Sequence, residues 1–168
     1  MTVREETGGD AAGVHRVLEQ AFPTPEEAAI VERLQAAGAA SVACVAEDDG
    51  GIVGQILFSP VTIERAPAGV RAVGLGPMAV VPARQRHGIG SALVEAGLAG
   101  CRARSVDLVV VLGHPTYYPR FGFTPAGVAG LRCEYDVPPE VFMALALRPA
   151  VLEACEGLVR YHPAFAGS

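Results

Sequence analysis

Met78-Ala79-Val80-Val81-Pro82-Ala83-Arg84-Gln85-Arg86-His87-Gly88-Ile89-Gly90-Ser91 decides the reading of this chain. The apolar run Met78 to Val81 is closed by Pro82, which lacks the N–H that a ladder hydrogen bond needs, so it reads as a strand that stops. From Ser91 to Ala103 there is no proline, and Ile89, Leu93, Ala96 and Gly100 recur at the spacing of a buried helical face. The residues between are a turn that starts a helix. A helix start leaves backbone N–H groups without partners at the positive end of the peptide dipoles, so an anion is stabilised there. Gly88 and Gly90 let the backbone approach such an anion closely and tolerate positive φ, and Arg84 and Arg86 add charge nearby. Phosphate or pyrophosphate is the natural occupant, although a Gly-x-Gly pair serves a tight strand-to-helix turn equally well.

Downstream, Asp107-Leu108-Val109-Val110-Val111-Leu112 is an unbroken apolar run, as expected of a strand covered on both faces. Strand, helix and strand from Val73 to Leu112 form a parallel βαβ unit, whose ligand belongs at the carboxyl ends of the strands. The phosphate turn lies at that end. His114 to Phe123 reads as a short proline-bounded turn or helix, and Phe142 to Leu147 as the final strand.

Upstream, Thr2 to Glu6 is a strand candidate, and Asp10 after Gly8-Gly9 is placed to cap a helix. Val14, Val17, Leu18 and Ala21 predict that helix up to Pro23. A second begins at Thr24 with Pro25 in its first position, is favoured at its start by Glu26 and Glu27, buries Ile30, Val31 and Leu34, and stops at Gly38. Two helices ahead of the sheet could serve as a lid. Ser41–Ala46 and Gly51–Ser59 are β-rich, and the Asp49-Gly50 step between them predicts an antiparallel hairpin. Pro60 to Ala72 continues as strand with a turn around Ala66–Gly69.

The 168 residues suit one domain over 1–168 with a sizeable core. A formal charge of −5 and the lack of any basic run argue against a nucleic-acid partner. The N-terminus lacks a signal-peptide core and no apolar run spans a bilayer, so no membrane association and a cytoplasmic location are expected. Cys44, Cys101, Cys133 and Cys155 are scattered without metal or redox spacing; free thiols and no metal are expected. Gly74-Leu75-Gly76-Pro77-Met78-Ala79 fits a dinucleotide fingerprint on paper, but strand follows where a helix would be needed. Gly88-Ile89-Gly90-Ser91 is no nucleophile elbow, and a Walker A loop needs a lysine, which the chain lacks.

Gln85-x-x-Gly88-x-Gly90 after a strand resembles the Gln/Arg-x-x-Gly-x-Gly/Ala signature of the GNAT superfamily of acetyl-CoA-dependent N-acetyltransferases. Tyr118-Pro119-Arg120-Phe121-Gly122-Phe123, one strand later, resembles its Tyr-x-x-x-Gly-Phe element. The order and spacing of the two, behind two helices and a hairpin, extend the likeness over nearly the whole chain. The last forty residues match only as a strand. More loosely, the chain is similar to an uncharacterised bacterial branch of that superfamily.

The resemblance implies an α/β (α+β) fold with a mixed, mostly antiparallel central sheet, a splayed parallel strand pair and flanking helices. It further implies acetyl-CoA as cosubstrate, with the backbone of Met78, Ala79 and Val80 against the pantetheine arm. Gln85 belongs to the signature, and the amides of Arg86, His87, Gly88, Ile89, Gly90 and Ser91 would take the pyrophosphate. Tyr118 falls in the general-acid place; its alternative is a packing tyrosine. His114 could assist. Glu64, Glu32 or a water chain are candidates for the base. The acceptor is a small-molecule or peptide amine: a small amine, an aminoglycoside-like compound and a protein N-terminus all stay open, as does a homodimer. An acyl-CoA-binding sensor without catalysis and an unrelated nucleotide-binding α/β protein are the alternatives in other classes.

Overall fold

The computed structural model describes residues 1–166. In chain order the elements are β1 (Thr2–Glu5), α1 (Ala11–Ala21), α2 (Glu26–Ala36), β2 (Val42–Asp48), β3 (Gly51–Pro60), β4 (Thr62–Arg65), β5 (Ala72–Val80), α3 (Ile89–Ala103), β6 (Leu108–Leu112), β7 (Thr124–Pro125), β8 (Leu131–Cys133), β9 (Phe142–Ala146) and β10 (Glu156–Arg160). Seven strands form the main sheet in the order β1-β2-β3-β5-β6-β9-β7. All its neighbours pair antiparallel except β5 and β6, which run parallel across the α3 crossover. The mixed, mostly antiparallel sheet with one parallel pair is thus the architecture the sequence implied. Among the described residues no helix is long and apolar enough to cross a membrane.

Local chemistry sets the β2–β3 hairpin. Asp49 and Gly50 both have positive φ, 48° and 76°, the pair of left-handed residues that a two-residue turn needs to match strand twist. Helices cover both faces of the sheet. On one face Val14, Val17 and Leu18 of α1 and Ile30, Val31 and Leu34 of α2 pack on Val45, Leu57 and Ala79. These two helices are therefore a packed layer and not a detachable lid. On the other face α3 buries Leu93, Val94, Leu98 and Cys101 against Val42, Phe58 and Val109. Each such Leu or Val, fully buried, stabilises the fold by roughly 1.5–3 kcal/mol.

Ile89 and Leu93 are buried as expected, but beyond them the buried face is rotated. Ala96 and Gly100 are only half-buried, and Gly97 takes the central place because a side chain there would meet the ring of Phe58 at 2.2 Å. Other expectations also shift. Helix α2 starts at Glu26 with Pro25 as its flanking residue. Asp10 does not cap α1 with its side chain; its carboxylate accepts from Arg4 at 2.8 and 2.9 Å and from the Thr7 N–H at 2.8 Å.

After Pro60 the chain leaves the main sheet. Strand β4 joins β10 and β8 in a second, three-stranded sheet, so Phe142–Ala146 is not the final strand. This small sheet covers Leu108, Val110 and Phe142 with Leu131 and Val159, joined by Val151 from the segment before β10. Just beyond β10, Tyr161 lays its ring where a side chain on Gly74 would be, 2.6 Å from that position, and so brings the C-terminal segment against β5.

Candidate functional site

Between Val80 and α3 the backbone alternates hand. Gln85 is extended (φ −67°, ψ 153°), Arg86 is left-handed at φ 67°, and Gly88 is left-handed at φ 82° as the residue flanking α3. Left-handed residues interleaved with others turn successive N–H groups to one side, a concavity suited to an anion. Gln85, Arg86, His87 and Gly88 are exposed, and a β-carbon on Gly88 would meet nothing within 4 Å, so the concavity faces open space. A left-handed arginine is strained, and strain of this kind persists where the surroundings hold it.

The two glycines act differently. Gly90 is helical, and its missing β-carbon makes room for the Tyr117 hydroxyl, which would lie 3.4 Å away. Arg84 is not free for an anion either: it is paired with Asp48 and lies 3.6 Å from Asp49, which pins the loop to the β2–β3 turn. Arg86 has no ion pair among the described residues.

The sheet opens beside this loop. Strands β5 and β6 pair from Ala72↔Leu108 to Leu75↔Val111 and then part. The cause is a bulge in β5: Ile56 faces Met78 while Phe58 faces Leu75, so Gly76 and Pro77 together oppose Leu57. Two residues against one bend the bulged strand, and Pro77 has no N–H to bond β6. Because Val81 N–H donates to Val53 and antiparallel pairs alternate, Ala79 spends its backbone groups on Gln55 of β3. The N–H and C=O of Met78 and Val80 point the other way, into the gap. Val80 C=O already accepts from the Gln85 side chain at 3.0 Å, which ties the loop to the strand end.

Across the gap, Tyr117–Phe121 make a tight turn packed by aromatic edges. Tyr118 lies edge-on to Tyr117 at 5.0 Å and to Phe123 at 5.7 Å between ring centres. It is 7% exposed, and burial pushes its hydroxyl up to about 12, so it is protonated at neutral pH. Its neighbour has a different task. Tyr117 OH shares a 2.9 Å hydrogen bond with Ser91 Oγ in the first turn of α3 and carries the Arg120 guanidinium over its ring at 4.4 Å. The two motifs singled out in the sequence are thus joined through Tyr117, a link that spacing could not reveal.

Tyr118 borders a cavity of about 360 Å³ whose floor is Leu75, Gly76, Pro77 and Met78, the bulge itself. Its remaining wall comes from Phe22, Glu27 and Ile30 of the α1–α2 region, Leu112 at the end of β6, and Tyr135, Tyr161 and Phe165 of the C-terminal segment. Among the described residues Glu27 is the single carboxylate of that wall, and no arginine or histidine lines it. In the sequence Glu27 reads as a helix-start charge like Glu26, with nothing to separate them. The carboxylates named as bases lie elsewhere. Glu64 accepts the Leu158 N–H at 3.0 Å in the small sheet, which holds it below the usual carboxylate range, and Glu32 binds His15 at 2.9 Å. His114 is exposed and bonds Thr116 Oγ1 at 2.8 Å. A second cavity of about 400 Å³ near β1 shares no lining residue with this one, and its Glu5 and Arg104 pair with each other at 2.6 Å.

Known proteins share this fold. The family model described as an acetyltransferase (GNAT) domain matches residues 2–126. The chain is 34% identical over 166 residues to YhbS of Escherichia coli K12, described as an uncharacterized N-acetyltransferase, covering 98% of each chain. The crystal structure of E. coli YhbS in complex with CoA superposes with a TM-score of 0.91 at 33% identity, covering 99% of this chain and 92% of that one. A GNAT family acetyltransferase from Brucella melitensis in complex with acetyl-CoA superposes with a TM-score of 0.80 at 38% identity, covering 98% and 97%.

Proposed function

The chain belongs to the GNAT acetyltransferase family, and from that premise we propose that it transfers the acetyl group of acetyl-CoA directly to a primary amine. One observation carries this reading. The β5 bulge parts two strands between an anion-holding loop and a buried, protonated tyrosine, so an extended thioester can lie with phosphate at one end and its reactive carbon at the other.

The residues present fit that molecule. The amides from Arg86 to Ser91 suit a pyrophosphate, with Gly88 leaving the approach free. Met78 offers its strand-edge N–H and C=O, and Val80 its N–H, to the amides of the pantetheine arm, the Val80 C=O being shared with the Gln85 side chain, whereas Ala79 serves chiefly by holding β5 to β3. Gln85 fixes the distance between strand end and loop. Bound acetyl-CoA supplies an activated thioester. The attacking amine must be neutral; its lone pair forms the N–C bond as the C–S bond breaks, with the bonding electrons going to sulfur. One proton of the nitrogen ends on the thiol, and the proton shed by the original ammonium passes to solvent. Tyr118, a weaker acid at about 12 than a thiol at about 8.5, does not hand over its proton outright. It stabilises the departing sulfur by donating a hydrogen bond as negative charge builds there.

Thermal melting combined with an amine screen tests the reading. Acetyl-CoA at about 100 times its Kd should add about 2.7 kcal/mol, roughly 5–10 °C for a chain of this size, and ATP or NAD much less. Gly88→Val should reduce that shift, because a β-branched side chain would stand where the phosphate approaches, and His87→Ala should not. Equal shifts with all three ligands, or no amine-dependent release of free thiol, would count against the assignment.

A further inference from the structure

Glu27 presents an unpaired charge in an aromatic cavity. Its one hydrogen-bond partner among the described residues is the Thr24 hydroxyl at 3.4 Å, and no arginine, histidine or backbone N–H there pairs with it. Glu27 is half-buried, and a carboxylate partly withdrawn from water with no cationic partner leans only on the dipole of the first turn of α2. Glu26, one residue earlier, is exposed and serves the helix start equally well. What sets Glu27 apart is the cavity it faces. Around it the wall is apolar and ring-rich: Tyr135 and Tyr161 lie 5.7 Å apart, and Tyr161 meets Phe165 edge-on at 5.5 Å.

Resting on the acetyl-transfer reading above, we infer that the acceptor is a small monocationic amine with a flat apolar body, its ammonium held by Glu27 and its body by these rings. Charge counting disfavours a polycation such as an aminoglycoside: one carboxylate matches one ammonium, and each further charge would meet rings and tyrosine hydroxyls but no second counter-charge among the described residues. Size argues the same way, since about 360 Å³ is near the low end for ligand sites and must also take the acyl group. A peptide would need strand-edge partners for its backbone, and the open edge at this cavity, β5, serves the pantetheine arm. Rings suit both halves of an arylalkylamine, their edges and faces packing a second ring and their faces attracting a cation. By stabilising the ammonium, Glu27 also delays its deprotonation. It acts as a recognition residue, and the proton leaves to solvent.

The probes are 2-phenylethylamine, kanamycin and tri-alanine, each assayed for acetylation and, by calorimetry, for binding to protein saturated with CoA. 2-Phenylethylamine should bind and react best. Glu27→Gln should raise its KM and calorimetric Kd about tenfold or more, the loss of one charge-assisted bond. The rise of kcat with pH should move to lower pH, since the bound ammonium loses its counter-charge. Glu26→Gln should leave both constants within about twofold, as surface substitutions do. Preference for kanamycin or tri-alanine, or an unchanged KM in Glu27→Gln, would overturn the acceptor class while leaving acetyl transfer standing. Failure of acetyl-CoA to stabilise the protein would instead remove the reading on which it rests.

Discussion

Gly113, the residue after β6, holds Tyr118 in place by having no side chain. A β-carbon there would lie 2.2 Å from Cε2, 2.7 Å from Cδ2 and 3.2 Å from Cζ of the Tyr118 ring. Its backbone is not in the left-handed region, and its N–H donates to Val141 at 3.0 Å, so Gly113→Ala perturbs the ring and not the chain path. To reach ordinary contact at 3.4 Å the ring must retreat by about 1.2 Å. Tyr117 and Phe123 stand edge-on against it, so the retreat moves the whole aromatic cluster or tilts the hydroxyl away. Overpacking of this kind costs about 1–3 kcal/mol, or roughly 2–12 °C in Tm. A misplacement of about 1 Å at a reacting group costs on the order of 100-fold in rate. Turnover measured as thiol release under saturating acetyl-CoA should therefore fall by that order, while most of the stabilisation by CoA persists, because the change reaches the loop only through the Tyr117–Ser91 hydrogen bond and leaves the backbone of the β5 edge in place. If the effect passes through the hydroxyl, Gly113→Ala added to Tyr118→Phe should slow the enzyme little further. A full additional loss in the double variant, or melting that falls with kcat unchanged, would make Tyr118 a packing residue and refute the argument.

Gly97→Ala should destabilise the fold although alanine favours a helix by about 1 kcal/mol, because Phe58 is fully buried and cannot swing aside from a methyl at 2.2 Å; the net loss is about 1–2 kcal/mol. Gly100→Ala, whose nearest neighbour would be a Val42 methyl at 3.1 Å, should be close to neutral by urea titration, and the reverse order would restore a helix face centred on Ala96 and Gly100. Stability should also fall in acid. The Arg4 guanidinium and the Thr7 amide hold the Asp10 carboxyl well below its usual range, so the unfolded chain binds the extra proton, and the stabilisation present at neutral pH is lost as pH drops below about 4. Melting between pH 7 and 3 should show a shallower acid limb in Asp10→Asn, and superimposable limbs would dismiss this pair as the cause.

Which parts were legible follows from how local their chemistry is. The strand-turn-helix junction was readable because its backbone chemistry lies in one turn, Gln85 to Ser91, and the hairpin because Asp49-Gly50 names its own backbone angles. The face of α3 was legible at Ile89 and Leu93 and one residue off beyond them: Gly97 and Gly100 look alike until Phe58, from the distant strand β3, is set over one of them. The bulge carried a signal that a strand reading passed over, since glycine followed by proline inside a β run marks a break in pairing at Gly76-Pro77. Strands β8 and β10 were missed because they are short and find their partners with each other and with β4, far back in the chain. The cavity proposed for the acceptor was least legible for the same reason in its strongest form. Its wall takes one to four residues from each of the α1–α2 region, β5, β6, the Tyr118 turn and the C-terminal segment, so no stretch of sequence contains it. A thioester common to a family can be held by one contiguous turn and one strand edge. An acceptor particular to one protein is met by side chains from many elements, and Glu27 gains its meaning only when Tyr135, Tyr161 and Phe165 close around the space it faces.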